Sequence, residues 1–204
     1  MGAETAERIV RAALELFWEK GYQSTSVSDI LARSGVNAGS LYHFFPGKQD
    51  VLLAVLRAYR DGIHAMLLEP AWAKVSDPVE KVFALLGQYR NAIEQTKCTY
   101  GCPIGSLALE IHEPDPPVRK LLSENFKAWT DAVAACIRQA ARNSRLSLPA
   151  GSTPQSLAEF VLTTMEGGVM LSRTFRDIRY FDRAVAQLRN YFDLLKKGAK
   201  RVKK

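Results

Sequence analysis

Residues 26–45, SVSDILARSGVNAGSLYHFF, leave the chain few ways to fold. Val27, Ile30 and Leu31 fall on one face of a helix. Ser26 stands just before them, where its hydroxyl can accept from an open first-turn amide. Gly35 follows Arg33 and Ser34 at the point where a helix C-cap needs a left-handed residue. Val36 is an apolar turn residue, and Asn37 caps a second helix through Ala38, Gly39, Ser40, Leu41, Tyr42, His43 and Phe44. Leu41, Phe44 and Phe45 can face inward, which leaves Ala38, Gly39, Ser40, Tyr42 and His43 outward, small or hydrogen-bonding. Two short helices so joined form a helix-turn-helix, whose second helix enters the major groove of DNA.

The flanks sharpen the reading. Pro46-Gly47 stops the second helix and Lys48 opens another. Ala12, Leu16, Phe17, Gly21, Tyr22, Thr25, Ser26, Ile30, Gly35, Val36, Gly39, Leu41, Tyr42, Phe44, Phe45, Lys48 and Leu52 together closely resemble the DNA-binding domain of the TetR family of bacterial transcriptional regulators. The resemblance implies that Thr25 and Ser26 meet phosphate at a helix N-terminus, and that Tyr42, His43 and Lys48 are further backbone contacts. Asn37, Ala38, Gly39 and Ser40 would stand at base edges. Ala38 replaces the longer polar or basic residue of many relatives, which leaves base readout there either weak or limited to contact with a thymine methyl.

A chain of 204 residues, 47% hydrophobic and 24% charged, has the composition of a globular protein with one or two domains. No run of about 18 apolar residues suggests a membrane span, and the N-terminus lacks the pattern of a secretory signal. Cys98, Cys102 and Cys136 make neither an even disulfide framework nor a zinc pattern, so a reducing cytoplasm is expected. The net charge of +7 overstates affinity for nucleic acid. Lys196, Lys197, Lys200, Arg201, Lys203 and Lys204 crowd the end, while the reading segment is close to neutral.

Helical spacing continues throughout. Ile9, Ala12, Ala13, Leu16 and Phe17 stripe a first helix over residues 5–20; Arg8 there is open to a phosphate or to solvent. Val51, Leu52, Val55, Leu56 and Tyr59 stripe a connecting helix over 48–68. Asp77-Pro78-Val79-Glu80 and Thr153-Pro154 are helix starts, and Cys102-Pro103 is another. Pro114, Pro116 and Pro117 separate that helix from a long one over 118–143. The last helix is expected to end near Lys197-Gly198. No segment alternates with period two, so the fold is all-α, with about nine helices. Its domains are a helix-turn-helix head, 1–47, and a helical effector-binding and dimerisation body, 48–204, ending in a basic tail, 198–204.

No phosphate loop, nucleophile elbow or metal spacing is present, and His43, His64 and His112 are scattered, so no enzyme, cofactor or metal is expected. In TetR-like proteins the body encloses a small-molecule effector. The resemblance offers Phe83, Tyr89, Cys102, Phe126, Trp129, Phe160, Met165, Glu166 and Met170 as lining, although ordinary core is the simpler account of each apolar one. Glu166, in VLTTMEGGVML, is open to an ion pair with Arg173, a ligand contact or an exposed edge. GCPIGSLALE, residues 101–110, resembles the LmrA/YxaF-like TetR subgroup, which implies an aromatic or hydrophobic effector. Cys102 in that stretch is open to a redox or electrophile response, with Cys98 nearby as a resolving thiol, or to an inert cap.

By the same resemblance the last two helices pair into a homodimer, with Gly167 and Gly168 allowing close approach and Leu188, Tyr191, Phe192 and Leu195 forming the stripe. The dimer would read a pseudo-palindromic operator in double-stranded DNA, with no membrane partner. The expected function is a ligand-responsive repressor of the bacterial nucleoid. The alternatives are an activator, a regulator that answers to a protein partner, a redox-responsive regulator, or a helical ligand carrier or enzyme that no longer binds DNA.

Overall fold

In a computed structural model, residues 2–111 and 115–202 are described; His112 and Pro114, like Lys203 and Lys204 of the basic tail, fall outside them. The order is α1 (Gly2–Lys20), α2 (Val27–Ser34), α3 (Ala38–Phe44), α4 (Lys48–Ile63), a π-helical turn (His64–Leu68), α5 (Glu69–Trp72), α6 (Pro78–Gln95), α7 (Pro103–Glu110), α8 (Pro116–Arg142), α9 (Pro154–Phe175) and α10 (Arg179–Val202). The described residues contain helices and no strands. No helix among them is long and apolar enough to cross a membrane.

The chain divides into two compact units. One comprises residues 1–62 with 102–126, the other 63–101 with 127–204. In the first, Ile9, Ala13, Leu16 and Phe17 of α1 pack with Ile30, Leu41, Val51, Leu52, Val55 and Leu56. Leu107 of α7 and Val118, Leu121 and Leu122 of α8 complete that core. Asn125, buried, donates its amide to Leu56 O at 2.9 Å and Leu121 O at 2.8 Å, and so ties α8 to α4.

In the second unit the apolar stripe of α10, Phe181, Leu188, Phe192 and Leu195, is buried in the chain's own core. Phe192 meets Phe83 of α6 edge to face at 5.3 Å. Gly168 of α9 lets α10 come close: a Cβ there would lie 3.1 Å from the Phe181 ring. Arg189 lies over the Phe83 ring at 3.5 Å and ion-pairs with Glu80 at 2.6 Å. The expected end at Gly198 is corrected, because α10 continues through that residue to Val202. Gly198 does not adopt the left-handed conformation that a glycine stop requires.

Candidate DNA interface

The helix-turn-helix is built by caps. Ser26 Oγ accepts the Asp29 amide at 3.1 Å, and Asp29 accepts the Ser26 amide at 2.7 Å, a reciprocal capping box. Lys20 reaches the same carboxylate at 2.9 Å. The Lys20 contact, then the Ser26 bonds, hold the Asp29 carboxyl far below the usual carboxylate range. Gly35 takes φ +64°, and Arg8 donates to Ser34 O at 2.6 Å and Gly35 O at 3.3 Å. Arg8 is thereby the clasp on the end of α2. Asn37 Oδ1 accepts the Ser40 amide at 2.8 Å and starts α3.

On α3, Leu41 is fully buried and turns the opposite face outward. Asn37, Ala38, Gly39, Tyr42 and His43 are exposed, and Ser40 is half-buried. Tyr42 is 52% exposed, far more than a packing role needs. His43 rests edge-on against Phe44 at 4.8 Å. Gly2, Thr5, Asn37, Gly39, Ser40, His43 and Phe44 line a shallow groove of about 440 Å³.

Two backbone-contact expectations change in the structure. Thr25 is 1% exposed, and its hydroxyl donates to Gly21 O at 2.6 Å, so it holds the α1–α2 turn and cannot meet a phosphate. Lys48 Nζ donates to Tyr22 O and Thr25 O, each at 2.9 Å, and lies 4.2 Å from the Tyr22 ring centroid. One ammonium proton remains after those two bonds. Ser26 is exposed, with its hydroxyl proton given to Asp29.

Glu110 belongs to the same assembly: it closes the 101–110 stretch, but nothing local in the sequence directed it to the α1–α2 turn. Its carboxylate accepts the Tyr22 amide at 2.8 Å and the Gln23 amide at 2.7 Å.

The effector candidates differ in exposure and in the contacts they make. Tyr89 and Trp129 meet edge to face at 6.5 Å. Trp129 is 3% exposed, and its indole N–H has no hydrogen-bond partner among the described residues. Met165 is buried, while Phe126 and Glu166 are half-buried. Phe83 is committed to Phe192 and Arg189. Cys102 is buried and serves as the N-cap of α7, its sulfur accepting the Gly105 amide at 3.4 Å. Phe160 and Met170 lie on α9, 49% and 52% exposed, and Phe160 lines an open cleft of about 410 Å³ with Leu148, Leu157 and Tyr191. Phe160 packs edge to face on Tyr191 at 5.9 Å. Among the expected dimer residues, Leu188, Phe192 and Leu195 are buried within the chain's own core, and the space beside Gly168 is filled by Phe181 of α10, so these positions are corrected. Gly167 remains open, with no atom of the described residues within 4 Å of a Cβ built there.

Residues 9–55 match the family described as Bacterial regulatory proteins, tetR family, and residues 78–188 match Tetracyclin repressor-like, C-terminal domain. The chain belongs to the TetR family. Among similar proteins, the Uncharacterized HTH-type transcriptional regulator YxaF of Bacillus subtilis is 32% identical, over 85% of this chain and 87% of its own. The HTH-type transcriptional regulator LmrA of the same organism is 28% identical, over 85% and 89%. The crystal structure of regulatory protein TetR from Rhodobacter sphaeroides superposes with a TM-score of 0.81 at 27% identity, covering 91% of this chain and 97% of that one. This TetR regulator is therefore a DNA-binding transcriptional regulator and not an enzyme.

Proposed function

We propose that this chain is a homodimeric repressor that leaves a pseudo-palindromic operator when a small, aromatic or hydrophobic effector binds its helical body. The observation that carries the DNA side is α3, which presents Ala38, Gly39, Tyr42 and His43 to solvent over a buried Leu41. Asn37, Ala38, Gly39 and Ser40 face base edges, and Gly39 permits close approach. Tyr42, His43 and the third proton of Lys48 take phosphates, while both Ser26 donors stay on Asp29. A regulator of this kind works at the nucleoid, in the cytoplasm.

The dimer face is the outer stripe of α9 with Leu194 of α10. Phe160, Thr163, Gly167, Met170, Leu171 and Thr174 recur at three- and four-residue steps, and the four larger apolar groups, Phe160, Met170, Leu171 and Leu194, are 39–62% exposed. Thr163 and Thr174 donate their hydroxyls to the carbonyls four residues back, at 2.9 Å each, so the stripe shows methyl groups. An unpartnered apolar stripe of this kind fits an isologous two-fold contact.

For the effector, the buried Trp129 N–H beside Tyr89 supports a flat ligand carrying a hydrogen-bond acceptor. Release requires the effector to favour a dimer whose reading helices no longer match successive major grooves. Cys102 acts as a cap and not as a sensor, since its thiol is buried and already serves Gly105. The test is binding of the purified protein to its own upstream DNA, titrated against salt, with and without planar aromatic compounds. Specific, salt-sensitive binding released by a compound is expected. Specific binding that no compound releases would overturn the effector half; the absence of specific binding would overturn the operator half.

A further inference from the structure

The α1–α2 turn, residues 21–25, is gripped along both polar edges by helices far away in sequence. Its carbonyls at Tyr22 and Thr25 take the Lys48 ammonium from α4. Its amides at Tyr22 and Gln23 give their protons to Glu110, the last residue of α7, at 2.8 and 2.7 Å. Gly21 makes room for that carboxylate. With φ +87°, a Cβ at Gly21 would lie 2.8 Å from both Glu110 oxygens.

Helix α7 is itself fixed to the head. Leu107 is 2% exposed within the head's core, and Ile104, Ala108 and Ile111 pack around it. At its other end Cys102 caps the Gly105 amide. The stretch GCPIGSLALE is therefore a short strut, about 12 Å of helix, with Glu110 as its grip on the turn that carries α2 and α3.

We propose that Glu110 is a positioning residue for operator reading, through which α7 sets the placement of the helix-turn-helix. The carboxylate touches no DNA. It satisfies two adjacent amides that would otherwise be left to water, and it fixes the exit of α1 from which α2 and α3 follow. Bonds of 2.7–2.8 Å are lost beyond about 3.5 Å, so a displacement of α7 by about 1 Å opens the clamp. The inference rests on α3 as the operator reader and adds where its placement is controlled.

The experiment uses the full chain as E110A and E110Q, with the parent protein as control. Operator affinity and affinity for unrelated duplex DNA are measured at one salt concentration, and exchange at the Tyr22 and Gln23 amides is followed by NMR. In E110A the two amides are expected to exchange faster. Operator affinity should fall about tenfold, the scale of one lost base-edge contact, while affinity for unrelated DNA stays within about twofold. E110Q should fall between, because its amide offers a carbonyl to one N–H and an NH₂ group to the other. Fast exchange with unchanged operator affinity would overturn the proposal, as would equal losses on operator and unrelated DNA. If E110A does not fold, E110Q decides on the same criteria. A parent protein that binds no operator removes the function reading itself, and the inference falls with it.

Discussion

Replacing Lys48 with Met keeps the stem and removes the ammonium. Two charge-assisted bonds of 2.9 Å disappear, together with a cation resting 4.2 Å from the Tyr22 ring centroid. Bonds to a charged group contribute about 1.5–3 kcal/mol each, and a cation over an aromatic ring about 0.5–2 kcal/mol. The terms do not add fully, because the two carbonyls lie where water can reach them once the ammonium is gone. About 3 kcal/mol is the expected loss of stability, or roughly 6–12 °C in melting temperature for a chain of this size. Circular dichroism measures it. The third proton adds a second readout: if it meets a phosphate, the slope of log affinity against log salt becomes shallower by about 0.9. A melting temperature within 2 °C of the parent would refute the reasoning that Lys48 is a clasp. A lower melting temperature with an unchanged salt slope would keep the clasp and remove the phosphate contact.

Tyr42→Ala, on an exposed position of α3, should weaken binding to all duplex sequences several-fold with melting temperature and dimer unchanged; intact affinity by gel shift would remove Tyr42 from the interface. Leu171→Asp places a charge on the outer stripe of α9 and should yield monomer in light scattering with helix content retained, whereas a stable dimer would move the interface elsewhere. Burial holds the Cys98 and Cys136 thiols above their ordinary range, so the folded chain should react slowly with iodoacetamide at pH 8 and the unfolded chain fast. The same shift favours the folded state in full below the ordinary thiol range and is lost as pH rises through the raised values. The melting temperature should therefore fall on going from pH 8 to 10, and C98A/C136A should flatten that fall.

The head was legible because its signals are local. Ser26, Gly35 and Asn37 cap within three or four residues of the groups they serve, and the structure places each cap where the pattern put it. Helical period along the rest of the chain likewise reports an all-α fold without reference to tertiary contacts, since a stripe such as Leu188, Phe192 and Leu195 exists in the sequence itself. What the stripe packs against does not. An amphipathic face reports only that it needs an apolar partner, and α9 and α6 of the same chain supply it, so those residues lie inside the protomer and not between protomers. The outer stripe of α9 was hidden for a related reason. Its threonines read as polar in sequence and become methyl-bearing once their hydroxyls turn back to helix carbonyls.

Thr25, Lys48, Arg8 and Glu110 mark the limit most clearly. Each has a side chain that would suit a surface or a DNA contact, and the sequence offers no means of telling where its protons or lone pairs go. Only tertiary structure decides that Thr25 turns back to Gly21, that Arg8 closes the end of α2 and that Lys48 reaches the α1–α2 turn. Glu110 lies 88 residues from Tyr22, and a hydrogen bond across that separation leaves no periodicity to read. The sequence by itself determined the all-α class, the caps of α2 and α3 and the outward face of α3, because these rest on neighbours along the chain. The placement of that face was decided by the folded structure, because it rests on side chains that only the fold brings together.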